Sequence, residues 1–130
     1  IVGGADCGIE LWHVDGVKVF HNSIWRPERN WVRGIRVGTG TARAEIANNL
    51  VHGEIRLEGG EAALRQNLTG RIEGSFEDAA TGNLALTSRA IEAREKALPF
   101  PEITEDIRGQ ARGSRPDLGA WQSSPARAKP

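Results

Sequence analysis

Aromatic and cationic side chains gather near the start of the chain. An aromatic ring offers a flat apolar face for stacking, and Arg, Lys or His can donate charge-assisted hydrogen bonds to a carboxylate. Together these residue types indicate a surface for ligands that combine a flat apolar face with a negative charge. The alternative is that the Trp residues pack a loop against the body of the protein. The candidate binding residues are Trp12, His13, Trp25, Arg26 and Trp31.

Lys18 and Arg36 are the candidates for catalysis. A lysine can act as a base, and a neighbouring arginine can neutralise the charge that develops on a carboxylate-bearing substrate. The sequence contains three near-copies of a strand pattern, and both residues fall on outward positions of successive copies. The alternative is an ordinary exposed row of charges, and the catalytic residues otherwise stay unknown.

Metal and thiol chemistry are not indicated. The three histidines lack zinc-ligand spacing, and Glu58 and Glu61 flank a Gly-Gly turn of the kind that is more often solvated than metal-bound. Cys7 has no His close by in the sequence that could activate it. The sequence therefore predicts no metal site and no evident cofactor.

Composition bounds the classes of partner. The chain has 130 residues, which fits one domain, and 17 basic residues balance 17 acidic ones. Because no field of one sign exists, neither nucleic acid nor a membrane surface is an expected partner. No apolar run approaches the roughly 18 residues of a membrane span, and a single Cys excludes an intrachain disulfide.

Three near-copies of one pattern between residues 9 and 68 must position these side chains. Each copy opens with an apolar alternation, continues through a turn and closes with a segment rich in Asn or Gln. Alternation such as Ile9 and Leu11 has the two-residue period of a strand, so Glu10 and Trp12 are expected to point outward. The closing segments are 20–24, 46–50 and 64–68.

The spacing of the copies predicts a stacked array. Successive openings lie 26 and 20 residues apart, in the range of repeat proteins. Short strands and Gly- or Asn-rich turns favour an all-β fold, specifically a parallel β-helix in which equivalent residues stack in columns. The predicted amide columns are Asn22/Asn48/Gln66 and Ser23/Asn49/Asn67, and the predicted interior columns are Phe20/Ile46/Leu64 and Ile24/Leu50/Leu68.

The repeats fade after residue 70. Residues 71–122 are expected to form an irregular cap, since an open end of the stack would expose strand edges and interior side chains. Residues 123–130 are expected to be a disordered tail. The chain also begins without Met or a targeting signal, in what looks like the middle of a pattern, which favours a fragment of a longer protein.

Three segments carry a family resemblance: 83–92, 104–112 and 116–122. Their order and motifs resemble the C-terminal end of bacterial right-handed parallel β-helix repeat proteins of the pectate-lyase-like superfamily. The chain departs from that pattern at Arg89, where Pro is usual, at Glu92, where Asp is usual, and at Gln122, where Glu is usual. The resemblance implies a right-handed, single-stranded parallel β-helix, a solenoid, over residues 1–122, with rungs at about 1–70.

The resemblance also implies a function class. Such proteins include polysaccharide lyases, glycoside hydrolases and adhesion proteins, mostly secreted or on the cell surface. The expected function is therefore that of a C-terminal fragment of a secreted protein that binds acidic, uronic-acid-containing polysaccharide. The full-length protein would cleave this polysaccharide and could bind Ca²⁺. On this view the fragment alone is inactive. The alternative is a non-catalytic adhesive or structural stalk, and the oligomeric state stays open.

Overall fold

The computed structural model describes residues 1–2, 6–26 and 32–123. Trp31 and most of the predicted tail lie outside these ranges. Within them, no helix is long and apolar enough to cross a membrane. The strands are β1 (Cys7–Leu11), β2 (Lys18–Phe20), β3 (Ser23–Ile24), β4 (Arg33–Gly38), β5 (Ala44–Ala47), β6 (Leu50–His52), β7 (Glu54–Glu58), β8 (Ala62–Arg65), β9 (Leu68–Gly70), β10 (Phe76–Asp78) and β11 (Asn83–Leu86).

The strands of each copy are distributed over three parallel sheets. Sheet 1 has the order β1-β4-β7, sheet 2 the order β2-β5-β8 and sheet 3 the order β3-β6-β9. β10 and β11 form a separate antiparallel pair; a short 3₁₀ turn at Glu73–Ser75 precedes β10, and another at Ala79–Thr81 connects the two strands. Each strand of a parallel sheet thus pairs with its counterpart in the next copy.

The all-β prediction is confirmed, and the prediction of a right-handed, single-stranded parallel β-helix is wrong. The described residues form separate three-stranded sheets and an antiparallel pair, with no closure into a solenoid. The resemblance to right-handed β-helix repeat proteins falls with it. A sequence repeat shows which positions are equivalent in successive copies, and hence which strands pair, but it does not show how the resulting sheets are arranged.

The predicted interior columns need two corrections. In sheet 3, Ile24 pairs with Val51, and the predicted column members Leu50 and Leu68 belong to the apolar cluster on the other side of the sheet. In sheet 1, Ile35 pairs with Ile9 and Ile55, as the repeats predict. In sheet 2, however, Ile46 and Leu64 align with Val19 and not with Phe20. The first copy is therefore shifted by one residue from the predicted alignment, so Phe20 leaves the interior column.

The same shift corrects the amide columns. The Asn22 backbone N–H donates to Oδ1 of Asn49 at 2.9 Å, and the Asn49 backbone N–H donates to Oδ1 of Asn67 at 3.0 Å. These three side chains form one ladder. Ser23 instead pairs with Leu50 in sheet 3. The residue before each member of the ladder has a positive φ, so the bend has the same backbone geometry in all three copies. These residues are His21, Asn48 and Gln66, with φ of 54°, 59° and 48°.

Two apolar clusters flank sheet 3. Within β6, Val51 belongs to the cluster to which all three parallel sheets contribute residues, and Leu50 belongs to a second cluster formed with residues 72–118. The Gly119 N–H donates to the Asn48 carbonyl at 2.8 Å, and the Ala120 N–H donates to Ser23 Oγ at 2.9 Å. The C-terminal segment, residues 71–123, therefore packs on the outer side of sheet 3.

Candidate functional site

Trp12 lies on the outer surface of sheet 1, immediately after β1. The alternation that turns Leu11 into the interior turns Trp12 outward, where it is 48% exposed. Its ring lies over Gly38, at a position where a Cβ would collide with the indole. Because Gly38 has no side chain, the Trp12 ring can pack directly against the sheet. The outward direction of Trp12 is the one that the two-residue period of a strand predicts.

His13 and Arg36 hold the ring from two sides. The His13 imidazole meets it edge-on, with ring centroids 5.6 Å apart and planes at 77°. The Arg36 guanidinium carbon lies 5.4 Å from the Trp12 ring centroid, within the range of a cation–π contact. We call this ring, its two neighbours and the side chains joined to Arg36 by ion pairs the Trp12 face: Glu10, Trp12, His13, Arg33, Arg36, Arg56 and Glu58.

The Trp12 face carries a network of ion pairs. Glu58 accepts hydrogen bonds from Nε of Arg33 and Nε of Arg36, both at 2.9 Å. The Arg33 hydrogen bond, more than any other favourable contact, lowers the pKa of Glu58 below its usual value, and the same pairing raises the pKa of Arg33. Arg36 also donates through Nη1 to Glu10 at 2.6 Å. Glu58 is thus an ionised acceptor that fixes two arginines beside the ring.

Trp25 and Arg26 lie elsewhere. Trp25 is buried on the outer side of sheet 3 and is 8% exposed, stacked on His52 with ring centroids 6.3 Å apart. Its Nε1 has no hydrogen-bond partner among the described residues. The Arg26 backbone N–H donates to Nδ1 of His52. For Trp25 the alternative interpretation, packing against the body of the protein, describes its position.

Lys18 and Arg36 are not brought together. Lys18 belongs to β2 in sheet 2, where its neighbour in register is Glu45, whereas Arg36 belongs to sheet 1 beside Glu10. The Lys18 ammonium pairs with Glu102 at 3.8 Å. The two residues proposed as a catalytic pair therefore occupy different sheets.

The sequence analysis missed a buried polar cluster in the C-terminal segment. Asp117 is fully buried and accepts hydrogen bonds from the N–H groups of Glu95 and Ser123, both at 2.7 Å. Buried Arg112 donates to the carbonyls of Asp117 and Gly119. Desolvation lowers the pKa of Arg112. Their spacing in a stretch without periodicity gave no signal that they would meet.

Asp106 is a second buried carboxylate of this segment. Burial alone would raise its pKa, but hydrogen bonds from the backbone N–H groups of Gln122, Gln110 and Arg108 hold the pKa below its usual value. A carboxylate saturated by N–H donors is a structural acceptor and a poor base. The cluster therefore organises the C-terminal segment.

A largely apolar groove of about 440 Å³ lies within the C-terminal segment. Phe100 forms part of its wall and stacks on Phe20, with ring centroids 4.5 Å apart. Pro99 and Pro101 lie on either side of Phe100, and the ring of each proline restricts the backbone φ there. The lining residues are Pro99, Phe100, Pro101, Ile103, Thr104, Arg112, Gly113 and Pro116.

Metal and thiol groups are dispersed in the part of the chain that the structure describes. No three His, Cys, Asp or Glu side chains there approach closely enough to hold a metal ion. Burial raises the pKa of the Cys7 thiol, and Glu10 and Asp6 raise it further. A thiol with a raised pKa is a poor nucleophile at neutral pH.

Comparison with known proteins supplies no relative. No family model matches the chain, and no curated protein and no solved structure is significantly similar to it. The ligand class must therefore be argued from the side chains themselves, and the Trp12 face is the place where the sequence-derived candidates Trp12, His13 and Arg36 meet.

Proposed function

We propose that this chain binds an acidic polysaccharide on the Trp12 face. The observation that carries the proposal is the half-exposed indole of Trp12, seated on Gly38 with the Arg36 guanidinium beside it. A polysaccharide ligand goes with a secreted or cell-surface protein, and that location belongs to the same proposal.

The indole supplies the stacking surface. Its ring is held by the sheet beneath, by His13 at its edge and by Arg36 at its side. A preorganised aromatic side chain loses little conformational freedom when a ligand binds, so more of the contact energy appears as affinity. One face of a sugar ring, with its axial C–H groups, matches this flat apolar surface.

Arg36 supplies the acidic selectivity. Its Nε is committed to Glu58, but Nη1 binds Glu10, whose side chain is about half exposed. Exposed ion pairs contribute only about 0–1 kcal/mol, so a uronate carboxylate can replace Glu10 at little cost. Glu58 meanwhile keeps the guanidinium in place. Arg36 can therefore pair with the carboxylate of a ring that stacks on Trp12.

The proposal concerns binding. Cleavage by a lyase or hydrolase was expected from the family resemblance, and the pair assigned to it, Lys18 and Arg36, lies on two different sheets. Ultraviolet absorbance of unsaturated products, recorded during the binding experiments, tests lyase activity directly.

Isothermal titration of the full chain with oligogalacturonate, oligoalginate and a neutral cello-oligosaccharide tests the proposal. We expect the acidic ligands to bind, and Trp12→Ala to weaken them about tenfold, equivalent to about 1.4 kcal/mol. Ile91→Ala, at an exposed apolar residue of the C-terminal segment, is the matched control and should leave affinity unchanged. Circular dichroism verifies that each variant is folded.

Glu10→Gln gives a sharper test, because it removes the anion that competes for Arg36. We expect acidic ligands to bind a few-fold more tightly to this variant. Absence of binding to every ligand would overturn the proposal, and equal binding of neutral and acidic ligands would overturn its acidic part. Binding that survives Trp12→Ala but is lost in Ile103→Lys would move the site to the apolar groove.

A structural or adhesive role without catalysis is the second candidate. It is favoured by the outer strands β7 and β8, which expose apolar side chains at the end of sheets 1 and 2. If this alternative is right, Trp12→Ala changes the stability of the protein, and neither the native chain nor the variant binds glycans.

A further inference from the structure

The interior of the protein opens at the third copy. Leu57 and Leu64 are 49% and 45% exposed, although their neighbours in register, Val37 and Ile46, are completely buried. The two exposed leucines thus continue interior columns that nothing covers among the described residues. Large apolar side chains left open in this way mark a contact surface.

The same end presents free strand edges. β7 is the outermost strand of sheet 1 and β8 the outermost strand of sheet 2. An edge strand carries a row of backbone N–H and C=O groups that can pair with another chain. The free edges of β7 and β8 therefore lie beside the exposed leucines. Addition of a strand from another chain uses this combination of backbone groups and apolar side chains.

The outward charges of β7 decide the partner. Glu54, Arg56 and Glu58 alternate in sign along the strand. Leu57 lies between the last two, in register with the buried Val37 and so on the interior side of the sheet. If a second β7 pairs antiparallel about a two-fold axis at Leu57, each Arg56 lies opposite Glu58 of the other copy. Leu57 then meets Leu57. The strand is therefore complementary to itself in charge and in apolar contact.

We propose that the chain forms a two-fold symmetric dimer through antiparallel pairing of the β7 edges. Arg56 is about half exposed and, within its own chain, pairs with the exposed Glu54 at 2.9 Å and with Glu58 at 3.8 Å. An exposed pair of this kind exchanges readily. A carboxylate has about four acceptor sites, so Glu58 can accept from the partner's Arg56 while it keeps its bonds to Arg33 and Arg36.

Sedimentation velocity over a concentration series tests the dimer with the full chain. We expect reversible dimerisation of the native sequence and a monomer for Leu57→Lys, which places a charge on the two-fold axis. Ile91→Lys adds the same charge at an exposed apolar residue far from β7 in sequence and should still dimerise. Circular dichroism of both variants verifies that a loss of association is not a loss of folding.

A disulfide tests the geometry of the pairing. Directly opposed residues of antiparallel strands have Cβ atoms about 4.5–5.5 Å apart, close to the separation a disulfide spans. In a Cys7→Ser background, Leu57→Cys should give a covalent dimer on mild oxidation, and Ile91→Cys should not.

The alternative arrangement is head-to-tail, with β7 of one copy beside β1 of the next and Arg56 opposite Glu10. It predicts open-ended association and a cross-link only when Leu11→Cys is combined with Leu57→Cys. That result would overturn the two-fold dimer. A chain that stays monomeric at its highest soluble concentration, or a Leu57→Lys variant that dimerises, would overturn it as well.

Discussion

The Trp12 face and the C-terminal segment use the same residue types in opposite ways. On the Trp12 face, Arg36 and Glu58 form an ion-pair network at the surface, where one partner, Glu10, can be exchanged for a ligand. In the C-terminal segment, Asp117 and Arg112 are buried, and their hydrogen bonds go to the backbone except for one that Asp117 accepts from the Ser123 hydroxyl. Charges that remain near water are available for binding, whereas buried charges fix the conformation of the chain around them.

The largest effect should come from the buried side of this comparison. Asp117→Ala removes the acceptor for two N–H groups and leaves Arg112 with less compensating charge. We expect a loss of about 3–5 kcal/mol in the free energy of unfolding, measured by urea denaturation. Asp117→Asn, which keeps one acceptor oxygen, should lose less. An Asp117→Ala variant of native stability would show that the buried cluster does not hold the segment.

The next prediction compares two residues of one column. Ile46 is completely buried in the second copy, and Leu64, its neighbour in register, is half exposed in the third. Ile46→Ala should cost about 2–5 kcal/mol because it opens a cavity, and Leu64→Ala less than about 1.5 kcal/mol since that side chain is already hydrated. Urea denaturation at low protein concentration gives both values, and equal losses would mean that Leu64 is covered in solution.

A pH dependence should follow from His21, which joins the bend of the first copy to the C-terminal segment. Desolvation, together with the nearby charge of Arg112, lowers the pKa of His21 from 6.5 to about 4. The unfolded chain therefore binds a proton more readily than the folded one. His21 thus supports full stability above pH 6.5, and this contribution is lost as the pH falls toward 4.

We expect this loss to be on the order of 2–3 kcal/mol. Unfolding free energies measured at intervals between pH 7 and pH 4.5 should fall for the native chain and stay nearly constant for His21→Asn, since Asn tolerates the positive φ at this position. A parallel decline in the two proteins would assign the pH dependence to other groups.

The smallest effect should come from the exposed side of the comparison. Glu54 pairs with Arg56 at 2.9 Å, and both side chains are about half exposed or more. Glu54→Ala should change the unfolding free energy by less than about 0.5 kcal/mol, as measured by the same denaturation. A loss comparable to that of Asp117→Ala would erase the distinction between surface and buried networks.

Local alternation was sufficient to predict several features. The outward position of Trp12, the inward position of Leu11 and the pairing of Ile9 with Ile35 all follow from the two-residue period and from the repeat. The one-residue shift in the first copy could not be deduced in the same way. Phe20 and Val19 are both apolar, so only the contacts of Val19 with Ile46 decide between them.

Other features depend on distant parts of the chain. Nothing in the segment around Trp25 shows that residues 72–118 will bury it, and a candidate binding residue therefore became part of the second apolar cluster. Arg112 and Asp117 likewise acquire their roles only when the C-terminal segment folds back on sheet 3. Such contacts join positions that share no period and no motif.

By itself, the sequence determined the all-β class, the equivalence of positions between copies and the outward placement of Trp12 and Arg36, because strand alternation and repetition are local properties of a chain. The tertiary structure alone decided that the strands form three separate sheets, that the C-terminal segment covers a flank of sheet 3 and that Leu57 and Leu64 stay open. Those outcomes depend on how sheets and segments pack across the molecule, where burial is decided by residues far apart in sequence.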